Sequence, residues 1–248
     1  MKECDFDKFK LYEKVKFVEG EKFTTVEETT QLSQEEFLRL IAYLEKDERL
    51  KKAGTLSILV PSSHHTDKLN TKLVEAGFVL DDMTVIVKRD LSDLSLTESE
   101  SYRLIPMKPG MEDTFKHVWA QAMTNSLNGS SNLTIDDQLK SVEKELGPNF
   151  RRTCLIAYEG EQPIGVVMPH IEPGTIAEGR LFYFGLIPEA RGKGKSKVLH
   201  RQALAILRQK FDAAYYVGST SYHNTPMLKL FAHNGCVEID RSKVFSRS

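Results

Sequence analysis

The last third of the chain alternates short apolar runs with stretches whose apolar residues recur every three to four positions. "GRLFYFGLIP" (179–188) reads as a buried strand. The helix that follows carries Leu199, Ala203, Ile206 and Leu207 at helical spacing. "DAAYYVGST" (212–220) reads as a strand, "TPMLKLFAHNG" (225–235) as a helix and "CVEIDRSKVFS" (236–246) as a closing strand. Pro226 suits that helix's first turn and Gly235 its end. Upstream, "YRLIPM" (102–107) predicts a strand, and "MEDTFKHVWAQAM" (111–123) a helix burying Phe115, Val118, Trp119 and Ala122. "TIDDQLKSVEKEL" (134–146) is a second helix, with Thr134 as N-cap and Gly147-Pro148 as its stop. "TCLIAYEGEQPIGVVMPHI" (153–171) folds as two strands around a Glu-Gly-Glu-Gln turn.

Residues 1–91 repeat part of this order. "VKFVEGEKFTTVEE" (15–28) is strand-like, and the helix after it puts Phe37, Leu40, Ile41 and Leu44 on one face. "TLSILVPSS" (55–63) is a strand, "TDKLNTKLVEAGF" (66–78) a helix closed by Gly77, and "DDMTVIVKRDL" (81–91) a strand. "KLVEAGFVLDDMTVIVKRD" and "KLFAHNGCVEIDRSKVFSR" share one rhythm of helix, glycine, spacer and strand, which suggests a degenerate internal repeat. Residues 92–101 are rich in Ser, Thr and acids and lack periodicity. They divide the chain into an N-terminal part, 1–98, and a C-terminal domain, 99–248.

Composition narrows the classes. At 248 residues, 40% hydrophobic and 28% charged, this is a folded globular chain. A net charge of −1 argues against a general nucleic-acid binder. Three distant cysteines, Cys4, Cys154 and Cys236, form neither a disulfide framework nor a metal site, so no metal is expected. "MKECDFDKFK" is too charged for a signal peptide, and no apolar run is long enough to span a bilayer. A cytoplasmic protein is expected, which deprives the glycosylation triplets at Asn128 and Asn132 of meaning.

The chemistry concentrates in "IPEARGKGKSK", between the strand at 179–188 and its helix. Helix N-termini present unpaired N–H groups and partial positive charge, and glycines let a ligand approach the backbone. A strand, a glycine-rich turn and a helix therefore make an anion site, to which Arg191, Lys193 and Lys195 add charge. An ATP-type P-loop would need glycine at Glu189, and a dinucleotide fingerprint would need it at Lys197; both fail.

"LIPEARGKGKS" resembles the acyl-CoA-binding signature of the GNAT superfamily of N-acetyltransferases, Arg/Gln-x-x-Gly-x-Gly/Ala, with Arg191 and Gly194 matching and Ser196 at the last small position. "NTPMLKLFAHNGC" resembles the family's second signature at Asn224, Leu230 and Gly235. The resemblance covers most of 102–248 and implies an α/β fold: a mixed central sheet flanked by helices, with strands near 181–187 and 213–219 splaying apart. It implies acetyl-CoA as cofactor, its pyrophosphate on the amides of Gly192, Lys193, Gly194, Lys195 and Ser196. Its pantetheine arm would lie along Leu186 and Ile187, where the family's strand is bulged, and against Asn224. Asn224 also suits a helix N-cap before Thr225-Pro226.

The family often takes a proton for the leaving thiolate from a tyrosine; here that position is Phe231. Tyr222 and His223 are candidates to replace it, and Glu178 is the candidate base, although Glu178 also fits a solvated turn and His223 a plain loop histidine. The implied activity is acetyl transfer to an amine on a small molecule or peptide, with neither nucleic acid nor membrane as partner. The alternative is a non-catalytic acyl-CoA-binding module, and a phosphate- or nucleotide-binding protein is the third possibility. The acceptor would be shaped by the loop 124–133 and by the N-terminal part; the sequence leaves both the acceptor and the oligomeric state open.

Overall fold

A computed structural model describes residues 3–20, 22–51, 54–95, 102–127 and 133–248. The expected domain boundary at 98/99, both glycosylation triplets' asparagines and residues 128–132 of the loop 124–133 lie outside these residues. Packing divides the chain into two units: Met1–Val85 with Asp240–Ser248, and Ile86–Ile239.

The first unit contains α1 (Glu3–Tyr12), β1 (Lys16–Glu19), β2 (Phe23–Glu27), α2 (Gln34–Lys46), α3 (Glu48–Lys51), β3 (Thr55–Val60), α4 (Asp67–Glu75) and the first part of β4 (Val79–Asp90). The strand-like stretch 15–28 forms two strands, antiparallel from Lys16↔Glu27 to Glu19↔Thr24 around Gly20. β2 and β3 are parallel and paired at four positions, Phe23↔Thr55 to Val26↔Ile58. Phe37, Leu40, Ile41 and Leu44 are buried as their spacing requires, packed with Val26, Ile58 and Leu69. The charged N-terminus, which carried no strong period, is helical. Leu11 enters the core, while Tyr12 (3.1 Å) and Lys8 (2.8 Å) converge on the buried carboxylate of Asp47.

The second unit contains β5 (Arg103–Pro106), α5 (Glu112–Met123), α6 (Ile135–Leu146), β6 (Leu155–Glu159), β7 (Gln162–Ile171), β8 (Glu178–Leu186), α7 (Lys195–Lys210), β9 (Tyr215–Ser221), α8 (Thr225–His233) and the start of β10 (Val237–Arg247). β5 to β8 form an antiparallel meander, and β9 joins β8 in parallel. Side chains alternate between faces along a strand. Ile156, Val166 and Met168 accordingly pack with α5 and α6, whereas Ala157 and Val167 pack under α7. Burial on both faces explains the unbroken apolar run "IGVVM". The mixed sheet with helices on both faces is the architecture the sequence implied.

The halves share one order: β2-α2-β3-α4-β4 and β8-α7-β9-α8-β10. Even their helix ends agree. Gly77 (φ 83°) and Gly235 (φ 73°) end α4 and α8 in the left-handed conformation, with Phe78 N–H donating to Leu73 O (3.0 Å) and Cys236 N–H to Phe231 O (2.9 Å). The last strands are exchanged. Residues 243–247 of β10 pair with β3 of the first unit, Lys243↔Val60 to Arg247↔Leu56. The tail of β4 belongs to the second, where Leu91 N–H donates to Ala214 O (3.0 Å).

Phe245 on β10 is 3% exposed within the first unit's core. Phe245→Ala should lower stability by about 3–5 kcal/mol, the cost of truncating a buried phenylalanine. Urea unfolding followed by circular dichroism measures this; a loss under about 1 kcal/mol would show that the exchanged strand adds little.

Candidate functional site

The site begins where β8 and β9 part. They pair only at Glu178↔Tyr215 and Gly179↔Tyr216, then diverge. The splay expected from the sequence is therefore present. On the other side of β8 the ladder continues, with Ile187 N–H donating to Ile164 O (3.0 Å). Antiparallel pairs alternate between bonded and non-bonded, so the Gly165↔Leu186 pair turns Leu186's N–H and C=O away from β7, toward the opening. The bulge lies earlier than Leu186–Ile187. Register shifts between Val167↔Phe184 and Pro169↔Leu181, which inserts one extra residue on β8. Phe182 and Tyr183 consequently face the same core, while Leu181 and Phe184 face the other.

At the open end lies a cavity of about 390 Å³. Its floor is Phe184, Gly185 and Leu186; one wall is the turn and first residues of α7; another is Asn224, Pro226, Met227 and Leu230; the last is Ala122, Asn125, Ser126 and Leu127. Gly192 (φ 71°) and Gly194 (φ 75°) are left-handed, and a Cβ on either would meet nothing within 4 Å. Gly194 caps α7 without any side-chain hydrogen bond, and no acid stands in the first turn. The first N–H groups of α7 are thus available to an anion, with the helix dipole behind them.

Of the candidates for the cofactor, Leu186, Arg191, Gly192, Gly194, Lys195, Ser196 and Asn224 line this cavity, and Ile187 and Lys193 do not. Ile187's amide is held by β7, and Lys193 is exposed. Lys195 Nζ pairs with Glu159. Asn224 is the N-cap of α8: its Oδ1 accepts from Met227 N–H (3.3 Å) and its Nδ2 donates to Thr220 Oγ1 (3.1 Å). Arg191's guanidinium is turned onto three backbone carbonyls.

The catalytic candidates are dispersed. Glu178 stands at the closed end of the opening, about 26 Å of strand from Leu186 at roughly 3.3 Å per residue. Its Oε1 accepts from Arg180 Nε (2.7 Å) and its Oε2 from the Tyr215 hydroxyl (3.3 Å). Tyr222 and His223 form an exposed pair with ring centroids 5.8 Å apart, outside the cavity lining. Phe231 is 2% exposed and packs on His200 and Tyr216. Sequence reasoning missed the α5 wall. The spacing marks Ala122 only as part of a buried helical face; Asn125, Ser126 and Leu127 belong to the loop 124–133 expected to shape the acceptor, and here they line the cavity beside the glycine turn.

The model of the acetyltransferase (GNAT) family matches residues 120–236, which contain the turn, the parting strands and the cavity. The chain carries a GNAT-family acetyltransferase domain. The fold of this domain and of the part before it is similar to solved GNAT structures. A GCN5-related N-acetyltransferase from Sphaerobacter thermophilus superposes with a TM-score of 0.65 at 13% identity, over 94% of this chain and 75% of that one. The enzyme of the same description from Kribbella flavida gives 0.62 at 9% identity, over 98% and 95%. A tandem GNAT protein from the clavulanic acid biosynthesis pathway gives 0.57 at 13%, over 92% and 75%. No curated protein sequence matches the chain. Among the described residues no cluster of three or more His, Cys, Asp or Glu could hold a metal, and no helix is long and apolar enough to cross a membrane.

Beneath the GNAT domain's cavity, His200 of α7 is fully buried among Phe184, Tyr216 and Phe231. Asn234 Nδ2 donates to Lys197 O (3.2 Å), and that carbonyl can only accept, so the same amide nitrogen donates to His200 Nδ1 (3.0 Å). The imidazole proton therefore sits on Nε2, which has no hydrogen-bond partner and faces aromatic rings. Burial first, then Arg89, push the His200 pKa down to about 3. The folded state keeps this histidine neutral, whereas the unfolded chain protonates near pH 6.5. Its contribution is complete above that pH and drains away as pH falls toward 3, by about 2 kcal/mol at pH 5. Unfolding free energies at pH 7 and pH 5 should show this loss in the wild type and a smaller one in His200→Leu. Equal slopes would mean that the imidazole does not titrate with folding.

Proposed function

We propose that this protein transfers an acetyl group from acetyl-CoA to an amine on a small molecule or a peptide. The observation that carries the proposal is the bare start of α7, whose two left-handed glycines open onto the cavity. The residues fit the cofactor chemically. The amides from Gly192 to Ser196 suit a pyrophosphate, the outward backbone of Leu186 suits an amide-bearing arm, and Pro226, Met227 and Leu230 give that arm an apolar wall. When bound, acetyl-CoA supplies the acyl group as an activated thioester.

The acceptor amine has to lose a proton before it can attack, which calls for a base. Glu178 is retained as that candidate because it stands at the vertex toward which an arm laid along β8 would run. Tyr222 and His223 are retained as the nearest proton donors to Asn224 in sequence. The N-terminal part, 1–98 by chain, is read as a degenerate copy without a cofactor site of its own. β2 and β3 remain paired, and α2 is closed by its own side chains, Ser33 Oγ accepting from Glu36 N–H (3.2 Å) and Glu36 Oε2 from Ser33 N–H (2.8 Å).

A second reading, a non-catalytic acyl-CoA-binding module, has one observation in its favour. Phe231 lies in a buried aromatic cluster, and among the described residues no phenol takes its place on the cavity lining. Acetyl-CoA consumption with a panel of amines separates the two readings. Turnover with any amine supports the enzyme; CoA binding without turnover supports the module; displacement by ATP but not by CoA points to a nucleotide-binding protein.

Gly194→Ala tests the cradle. A methyl group there enters open space at the turn, and its left-handed backbone costs about 1 kcal/mol. CoA affinity, measured by calorimetry beside a melting curve, should fall at least tenfold with the fold retained; undiminished affinity would remove the anion-site reading.

Phe231→Tyr tests the missing hydroxyl. Because the ring is buried against His200, the added oxygen should leave turnover within about threefold of wild type, against the roughly 10²–10⁴-fold that a general acid can supply. A rise of that larger size, read as initial rate, would show that position 231 does reach the reacting atoms.

A further inference from the structure

Arg191 stands at the start of the glycine turn, where a cation facing phosphate is the obvious reading. Its guanidinium does something else. Nε donates to Leu186 O (3.0 Å), Nη1 to Asn125 O (3.1 Å) and Nη2 to Ala122 O (2.9 Å). The three carbonyls come from the end of β8, from the segment after α5 and from the last turn of α5. Ala122 O is one of the terminal carbonyls that the helix's own N–H groups do not reach, and the Tyr183 hydroxyl (3.0 Å) shares it with Arg191. Asn125 is left-handed at φ 50°, and its carbonyl is the one held by Nη1.

The electrostatics explain why a cation is needed there. The C-terminus of α5 and the N-terminus of α7 line one cavity, and their helix dipoles present opposite signs to it. An entering polyanion would be drawn by α7 and repelled by the carbonyls of α5. The guanidinium covers the Ala122 carbonyl of that helix end and the Asn125 carbonyl just beyond it. Its planar fork spans three acceptors at once, whereas a lysine is a point charge on a flexible stem.

We propose that Arg191 is a positioning residue: it joins the end of β8, the glycine turn and the C-terminus of α5 into one frame and masks the carbonyls of Ala122 and Asn125, so that the amides of 192–196 do the anion binding. The proposal rests on the acyl-CoA reading of the cavity. Arg191→Lys and Arg191→Met test it, with CoA titrated by calorimetry and amide hydrogen exchange of the ligand-free protein followed at 123–127. Both variants should lose CoA affinity at least tenfold and to a similar degree, and exchange at 123–127 should speed up at least tenfold in each. Wild-type affinity in Arg191→Lys would show that charge alone suffices and would overturn the frame, as would unchanged exchange in both variants. If the wild-type chain binds no CoA, the acyl-CoA reading fails, and the exchange comparison by itself decides whether the frame exists.

Discussion

Two parallel strands that stop pairing are the constraint from which the cavity-bearing half of this protein follows. A strand in the middle of a sheet has backbone donors and acceptors on both edges, and buried ones left unmatched are costly. After Gly179, β8 keeps its ladder with β7 but loses β9. The outward groups of its remaining length face an opening, and Arg191 takes the Leu186 carbonyl at its end. Everything that makes the cavity gathers around this gap: the turn that leaves β8, the helix it starts and the cap of α8. The first unit shows the same topology without the gap. There β2 and β3 stay paired at four positions, and the helix between them is capped from within. The Glu36 carboxyl is held to about 2, chiefly by its hydrogen bond from Lys14 and then by the Ser33 amide. An anion has no reason to approach that helix end, because a carboxylate already occupies it.

The cations of the turn illustrate how packing assigns roles that composition does not. Three positive side chains stand within five residues, yet each has a different fate. Arg191 is turned inward onto carbonyls, Lys193 is exposed, and Lys195 meets Glu159. An anion at this turn would thus meet peptide N–H groups more than side-chain charge. Such groups are fixed in direction by the helix and need no reorganisation when a ligand arrives.

The aromatic cluster under the cavity shows a similar economy. Phe184 belongs both to the cavity floor and to the cage around His200, with ring centroids 5.3 Å apart and planes at 88°. One edge of the imidazole is tied through Asn234 to the backbone of α7, and the other is left to aromatic faces. A neutral histidine so placed fixes the rotation of α7 relative to β8, β9 and α8, and with it the direction of the N–H groups at the start of the helix.

The local readings that sequence allowed are those in which a residue's role depends on its neighbours in the chain. Period and capping residues located α2, α4 to α8 and most strands, because amphipathic spacing and N-caps act within one element. The glycine turn was legible for the same reason, since a left-handed backbone before a helix is a local demand that glycine meets. What the sequence could not carry were choices made between distant segments. The exchange of β4 and β10, the bulge at Phe182–Tyr183 and the α5 wall at Ala122 and Asn125 each depend on which strand or helix end lies alongside. Arg191 and Asn224 show the limit most plainly. Their types and positions were visible, but whether a guanidinium or an amide points at a ligand or at the protein's own backbone depends on which carbonyls and N–H groups folding leaves without partners. That balance exists only once β8, α5, α7 and α8 are packed together.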